Sequence, residues 1–236
     1  MGNLLTRDLV NRRAYTNLFP TLTVGRRLSE QQALSVSLSR RINRPQYSDL
    51  SPARFFFDKY SYYTGNPFLQ PERAWQGAAT YTYKNDYGLT LSAGRISNPL
   101  SGFGSQNPAT GELVLTIANF AYRDDFDAQF IIPLKITSFW TSQNTVNVRY
   151  ICANLSQGVL DFTPHKANIE VSTIHTLSLP GDVRLEVSAY YTSPSLAGIS
   201  IFRSYFTVDA GLKKTFLAKK LDVRLAGTDL FSTIHY

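Results

Sequence analysis

The 236-residue sequence holds a single cysteine, Cys152, so no internal disulfide framework staples it. Its three histidines, His165, His175 and His235, form no cluster with cysteine at zinc-ligand spacing, and no metal or other cofactor is expected. No window approaches the ~18 consecutive apolar residues of a membrane helix, and the opening MGNLLTRDLVNRR lacks the apolar stretch of a signal peptide. The lack of an apolar helix leaves barrels open, because they cross bilayers with alternating strands. Lys and Arg (24) exceed Asp and Glu (17), yet no nucleic-acid-binding motif accompanies the excess. Most basic residues sit at strand ends or beside turns and form no stripe, so nucleic acid is not an expected partner.

What the sequence does have is period-two alternation. In QQALSVSLSRRINRP, residues 32–46, Leu34, Val36 and Leu38 alternate with Ser35, Ser37 and Ser39. Trp75, Gly77, Ala79, Tyr81 and Tyr83 oppose Gln76, Thr80, Thr82 and Lys84 in the same way, and the pattern recurs at 87–93, 129–136 and 183–192. Each such run reads as a strand with one apolar face.

Two classes of connection take turns along the chain. Short ones lie near Ser29-Glu30-Gln31, Lys84-Asn85-Asp86, Ser138 to Ser142, Pro180-Gly181-Asp182 and Ala218-Lys219-Lys220. Long ones run from Asn43 to Pro71, Ser97 to Gly111, Asn154 to His165 and Ser193 to Phe202. Short turns on one rim and long loops on the other describe an outer-membrane barrel. Shared faces predict the hairpin registers Tyr83 with Tyr87, Leu179 with Val183, and Phe216 with Leu221. The last sets Leu212 against Leu225 outward and Lys213 against Arg224 inward, with Asp222 diagonal to them. The apolar parity is odd at Leu113, Leu115 and Ile117 but even at Phe130, Ile132 and Leu134. Keeping the order of connections predicts one long strand over 112–136, bulged near Asn119 to Asp127.

The fold class expected is all-β: an antiparallel transmembrane β-barrel of about ten strands, each near the ~9–11 residues that cross the hydrocarbon. With short turns in the periplasm, the first strand, around Leu18 to Leu28, descends and the last, Leu221 to Phe231, ascends. Both chain ends then lie outside the cell, and residues 1–236 are expected to be a fragment of a longer barrel.

The polar rows are mostly Ser, Thr, Gln and Gly, which suits a crowded wet lumen better than the outside of a soluble sandwich. Aromatic residues gather at strand ends (Trp75, Tyr83, Tyr87, Phe139, Trp140 and Tyr191), where bilayer girdles fall. Thr173 and His175 break the apolar face of their strand.

Several stretches together resemble the outer-membrane β-barrel family related to TonB-dependent receptors, common in Bacteroidetes. They are SLSRRINRPQYSDLSP, YYTGNPFLQPERAWQGAATYTYKNDYGLTLSAGRISNP, PLKITSFWTSQNTVNVRY and VDAGLKKTFLAKKLDVRLAGTDLF. The similarity runs from about Phe19 onward. Its most specific parts are Arg44-Pro45, Gly65-Asn66-Pro67 with Leu69, Pro71 and Glu72, and Thr228-Asp229-Leu230-Phe231. Asp127 and Gln129 depart from the family pattern, which has Gly and Glu there. The resemblance implies a receptor in the bacterial outer membrane whose complete form has about 22 strands around a plugged lumen. Such a receptor takes up a scarce nutrient, a siderophore, glycan or similar small ligand. It draws energy through a TonB complex that contacts an N-terminal region absent here, as the plug and closing strands are.

Two places carry candidate ligand contacts. In RFFFDKYSYYTGNPF aromatics interleave with charge, which suits a carbohydrate or a chelate, and Arg54, Asp58, Tyr60, Tyr62 and Tyr63 are the residues of interest. The alternative is that these rings pack the loop. On the polar rows, Arg41, Arg184, Glu186, Lys213 and Arg224 are candidates for attracting an anionic ligand; the alternative is pairing across a hydrated wall. Arg123-Asp124-Asp125-Phe126-Asp127 lacks the ligand spacing of a calcium loop and reads as a solvated strand bulge. None of the three histidines sits in a nucleophile motif, so an enzyme is not expected. The rival readings are a soluble glycan-binding β-sheet module and an outer-membrane hydrolase.

Overall fold

The computed structural model describes residues 18–84, 86–156, 160–217 and 220–233. Asn85 and Ala218-Lys219, in two of the expected short turns, lie outside the described residues, as does His235.

The chain opens with β1 (Thr21–Ser29) and β2 (Gln32–Asn43), and the first long connection carries a single helical turn, α1 (Tyr47–Leu50), then β3 (Arg54–Phe56) and β4 (Ser61–Thr64). Next come β5 (Glu72–Tyr83), β6 (Tyr87–Ser97), β7 (Leu100–Gln106), β8 (Leu113–Asn119) and β9 (Tyr122–Lys135). After them follow β10 (Trp140–Asn154), β11 (His165–Leu179), β12 (Val183–Thr192), a small hairpin of β13 (Ser195–Ala197) and β14 (Ser200–Phe202), β15 (Tyr205–Phe216) and β16 (Leu221–Gly227).

Ten of these strands form one antiparallel sheet in the order β1-β2-β5-β6-β9-β10-β11-β12-β15-β16, open at β1 and β16 among the described residues. This is a partial barrel wall. The three hairpin registers stand as the sequence predicts: Tyr83 pairs with Tyr87, Leu179 with Val183, and Phe216 with Leu221. At the Pro180-Gly181-Asp182 turn, Gly181 has φ +80°, a conformation open to glycine at no steric cost.

Region 112–136 is a correction. There is no single bulged strand; the chain leaves the wall. β8 pairs antiparallel with β7 and parallel with β4, in a separate four-stranded sheet of order β3-β4-β8-β7. β9 returns to the wall between β6 and β10. The change of parity thus marks a passage between two sheets, and the connection Ser97 to Gly111 contains a strand. The Arg123 to Asp127 stretch is regular wall strand and not a bulge, since its register with β10 runs unbroken from Tyr122 to Lys135. The last strand also ends earlier than expected, at Gly227. There Thr228-Asp229-Leu230-Phe231 turns back: the Asp229 N–H donates to Asp209 Oδ1 (2.8 Å), and the Leu230 N–H to the Val208 carbonyl (2.9 Å).

The family-like GNPxLxPE segment anchors the first long loop. A Cβ on Gly65 would lie 2.5 Å from the carbonyl oxygens of Asp49 and Ser51, so only glycine fits. The N–H groups of Gly65 and Asn66 donate to those same carbonyls. Leu69 is the largest fully buried side chain among the described residues. Glu72 accepts from the Asn43 side chain (2.8 Å) and from the Leu100 N–H, tying this loop to the next. Asn119 completes the tie, accepting from Gln70 N–H (2.6 Å) and donating to the Gln70 and Asn98 carbonyls.

A soluble sheet would bury its apolar rows. Here Leu22, Val24, Leu38, Leu91 and Leu134 stay 43–61% exposed. The buried cluster lies instead at the long-loop rim, where Ala118, Phe120, Ile151, Ala153 and Leu155 pack with loop residues such as Phe103, Phe162 and Leu196.

The awkward polar residues of β11 have partners. On the apolar face of β10 and β11, Trp140 Nε1 donates to His175 Nδ1 (3.1 Å), leaving Nε2 to meet Thr173 Oγ1 (3.1 Å). Thr173 donates to Asn144 Oδ1 (2.7 Å), Ser142 donates to the same oxygen (3.1 Å), and Asn144 Nδ2 donates to the Ile132 carbonyl (3.0 Å). The relay ends on backbone, so its polar atoms satisfy one another where water is scarce.

Candidate ligand-binding face

Because directly paired residues share a face, register fixes which side chains line the polar side of the wall. Near the short turns, Ser178, Arg184, Lys213 and Arg224 stand in one row across four strands, with Glu186 two residues along β12 from Arg184. Arg184, Glu186, Lys213 and Arg224 line one groove of about 270 Å³. The like charges of Lys213 and Arg224 are relieved by Asp222, whose carboxylate holds Lys213 Nζ at 2.7 Å and accepts from Thr215 (2.7 Å). The groove keeps a cationic surplus: three basic groups meet Glu186 and Asp222. It has the chemistry to hold an anionic group in a wet channel.

Arg41 does not join that groove. It projects from the same face opposite Ala74, six strands away from β12 and close to the long loops.

Nearer those loops lies a second cluster that the sequence reading missed. Arg149 Nε bonds Asp127 Oδ1 at 2.6 Å, Arg123 bonds Asp125 at 2.9 Å, and Gln129 donates to Asn147 at 3.0 Å. With Glu170, Asn168 and Gln76 they border adjoining grooves of about 300 and 280 Å³. Asp125 Oδ1 is buried without a hydrogen-bond partner among the described residues. Asp127 and Gln129, the two departures from the family pattern, are thus both paired to β10. Extending the inward odd parity of β9 back through Asp127, Asp125 and Arg123 would have found this cluster.

The loop candidates divide. Tyr62 is buried, with the Arg54 guanidinium 4.8 Å from its ring centroid and Phe56 at 5.3 Å. Those rings build the loop. Asp58 accepts from the Ser61 hydroxyl and the Tyr60 N–H, both at 2.6 Å. These bonds, Ser61 first, hold its carboxyl below the usual carboxylate range. Burial, and next the Asp49 charge, push the Tyr63 phenol up. Tyr60 is exposed with Lys59 Nζ 5.5 Å from its ring, and Phe55 and Phe57 are exposed beside it. This rim therefore presents bare aromatic surface with basic groups. His175 is held in the relay on the opposite face, and Tyr150 OH lies 3.5 Å from His165 Nδ1.

The sequence profile of the outer membrane protein beta-barrel family matches residues 1–236. The chain belongs to that family. No curated protein sequence matches it. Among solved structures, the siderophore receptor PirA from Pseudomonas aeruginosa matches with a TM-score of 0.66 at 15% identity, over 92% of this chain and 39% of that one. A mutant of the ferric enterobactin receptor PfeA from the same species gives 0.64 at 16% identity, over 91% and 35%. PirA from Acinetobacter baumannii gives 0.60 at 14%, over 91% and 37%. Identities this low carry the fold alone, and the chain spans well under half the length of these receptors. Family and fold together place this β-barrel chain in the bacterial outer membrane.

Proposed function

We propose that the chain is part of the wall of an outer-membrane receptor that takes up a scarce small nutrient, a siderophore, a glycan or a similar solute, with energy supplied through a TonB complex. In this reading residues 1–236 form one barrel domain of a Bacteroidetes-type receptor. The plug, the TonB-contacting segment and the closing strands lie elsewhere. The protein binds and passes its solute without catalysis or a cofactor.

The observation that carries the reading is the contrast between the two faces of one sheet. One face shows bare aliphatic rows and the other a cationic groove, and aromatic loops overhang one rim. Edges at β1 and β16 that are unpaired among the described residues support further strands, since open edges are costly in hydrocarbon. A soluble glycan-binding module would need the aliphatic rows covered.

The test is titration of the chain in detergent micelles with a ferric tris-catecholate and, separately, a neutral oligosaccharide. For an anionic solute, Arg184→Gln, Lys213→Gln and Arg224→Gln together weaken binding at least tenfold. For a neutral one, Tyr60→Ala does so. Indifference to both sets, or a monomer that stays folded in plain buffer, would remove the proposal.

A further inference from the structure

The apolar face carries a second oddity, at the end opposite the relay. Arg40, Trp75, Arg95 and Asp124 pair in succession across β2, β5, β6 and β9, so they form one row on the side that bears the aliphatic rows. Arg73, two residues from Trp75, shares that face one step nearer the long loops, with Ile42 and Ser97 as its cross-strand neighbours. Three guanidinium groups thus surround one indole on the outside of the barrel.

Their height follows from strand geometry. Trp75 and Tyr83 lie eight residues apart on β5, roughly 26 Å along the strand at ~3.3 Å per residue. A tilt of about 40° makes that about 20 Å of depth, close to the ~25 Å apolar band of such barrels. With Tyr83 at the short-turn girdle, Trp75 marks the opposite girdle. The arginines therefore lie at headgroup level of the outer leaflet.

Two of the three charges, those of Arg40 and Arg73, meet no carboxylate among the described residues. Arg95 is taken by Asp124 in a bidentate pair at 2.6 Å and stacks 5.0 Å from the Tyr122 ring centroid. Arg40 sits 5.5 Å from the Trp75 ring centroid and donates from Nη1 to the Leu18 carbonyl at 3.4 Å. The Nε atoms of Arg40 and Arg73 are buried and have no hydrogen-bond partner among the described residues. Glu72, next to Arg73 in sequence, faces the lumen with Asn43. Two cations without a carboxylate, beside an interfacial tryptophan, match a tetrahedral oxyanion anchored in the bilayer.

We propose that Arg40, Arg73 and Arg95, arranged around Trp75, bind the phosphate of an outer-leaflet lipid headgroup. Arg40 and Arg73 supply the net charge and the donors of their terminal Nη groups, and Arg95, its position fixed by Asp124, adds its remaining Nη1 donor. The site belongs to the outer surface of the wall and is separate from the groove that would receive a solute.

The experiment uses the full chain in neutral detergent micelles, carrying Trp140→Phe so that Trp75 is the one tryptophan, excited selectively over the tyrosines. It is titrated with bisphosphorylated lipid A, with the same lipid stripped of phosphate, and with inorganic phosphate. The expected result is a saturable change in Trp75 emission with the phosphorylated lipid, at least tenfold weaker with the stripped lipid, and none with inorganic phosphate at equal concentration. Arg40→Gln with Arg73→Gln should abolish it. Arg26→Gln with Lys214→Gln, the same charge change on the same face toward the short turns, should not. Equal binding of stripped and phosphorylated lipid overturns the proposal even if the double variant fails to fold. An equal response to inorganic phosphate overturns the lipid assignment.

Discussion

Replacing Asn144 by leucine tests whether the β10–β11 relay lies in hydrocarbon. Asn144 accepts from Thr173 at 2.7 Å and Ser142 at 3.1 Å, and donates to the Ile132 carbonyl at 3.0 Å. It lies four residues beyond Trp140, about 10 Å inside the girdle at the tilt and rise used above. Leucine removes three hydrogen bonds, each worth about 0.6 kcal/mol between side chains in a bilayer. It also leaves two hydroxyls without an acceptor, at about 1–3 kcal/mol each if they find none. Against this stands the gain from moving an amide out of lipid, of similar size to one such hydroxyl. The net expected loss is about 3–5 kcal/mol if neither hydroxyl finds another acceptor, and Thr173→Val should also destabilise, because it strands His175.

The triple change Ser142→Ala, Asn144→Leu and Thr173→Val behaves differently. It removes the donors and acceptors around Asn144 together and strands only His175, so it should be no less stable than an Asn144→Leu single variant and lose much less than the single losses added. Equilibrium unfolding by urea from liposomes, read through Trp140 fluorescence in a Trp75→Phe background, measures all of these. If the single losses simply add within ~0.5 kcal/mol, or if Asn144→Leu is neutral, the relay is solvated and the reasoning is wrong.

Three more outcomes follow from local geometry. Gly65→Ala forces a methyl group against two carbonyl oxygens, and should weaken the first long loop by roughly 1–3 kcal/mol, seen as faster proteolysis between β2 and β5. Asn119→Ala cuts the clamp on Gln70 and Asn98, and should raise amide exchange throughout β7 and β8 while leaving β9 protected. Asp58 has a lowered folded-state pKa, so its contribution to loop order is complete above its ordinary value and fades as pH falls through the folded value. Acid should therefore speed cleavage at 54–64, and Asp58→Asn should remove most of that acid dependence; an unchanged pH profile in the variant would refute the role given to Ser61 and Tyr60.

Much of the wall was legible because its signals are local. Alternation such as Leu34, Val36, Leu38 names a strand and its oily face without reference to any partner. Turn residues such as Pro180-Gly181-Asp182 fix a register, and the order of short and long connections fixes the direction of each strand. The candidate groove followed from this, since Lys213 and Arg224 are neighbours across a hairpin. Arg184 joins them through one further pairing.

Tertiary structure alone decided what depends on strands far apart in sequence. β8 could not be seen leaving the wall, because its pairing with β4 joins Ser61 to Leu113. The tie between Gln70 and Asn119 spans 49 residues. The partners of Asp127 and His175, and the gathering of Arg40, Arg73 and Arg95 around Trp75, likewise arise from registers between separate strands. Alternation says which way a side chain points, whereas the identity of what it meets depends on how neighbouring strands slide past one another, and that is fixed only when the whole sheet forms.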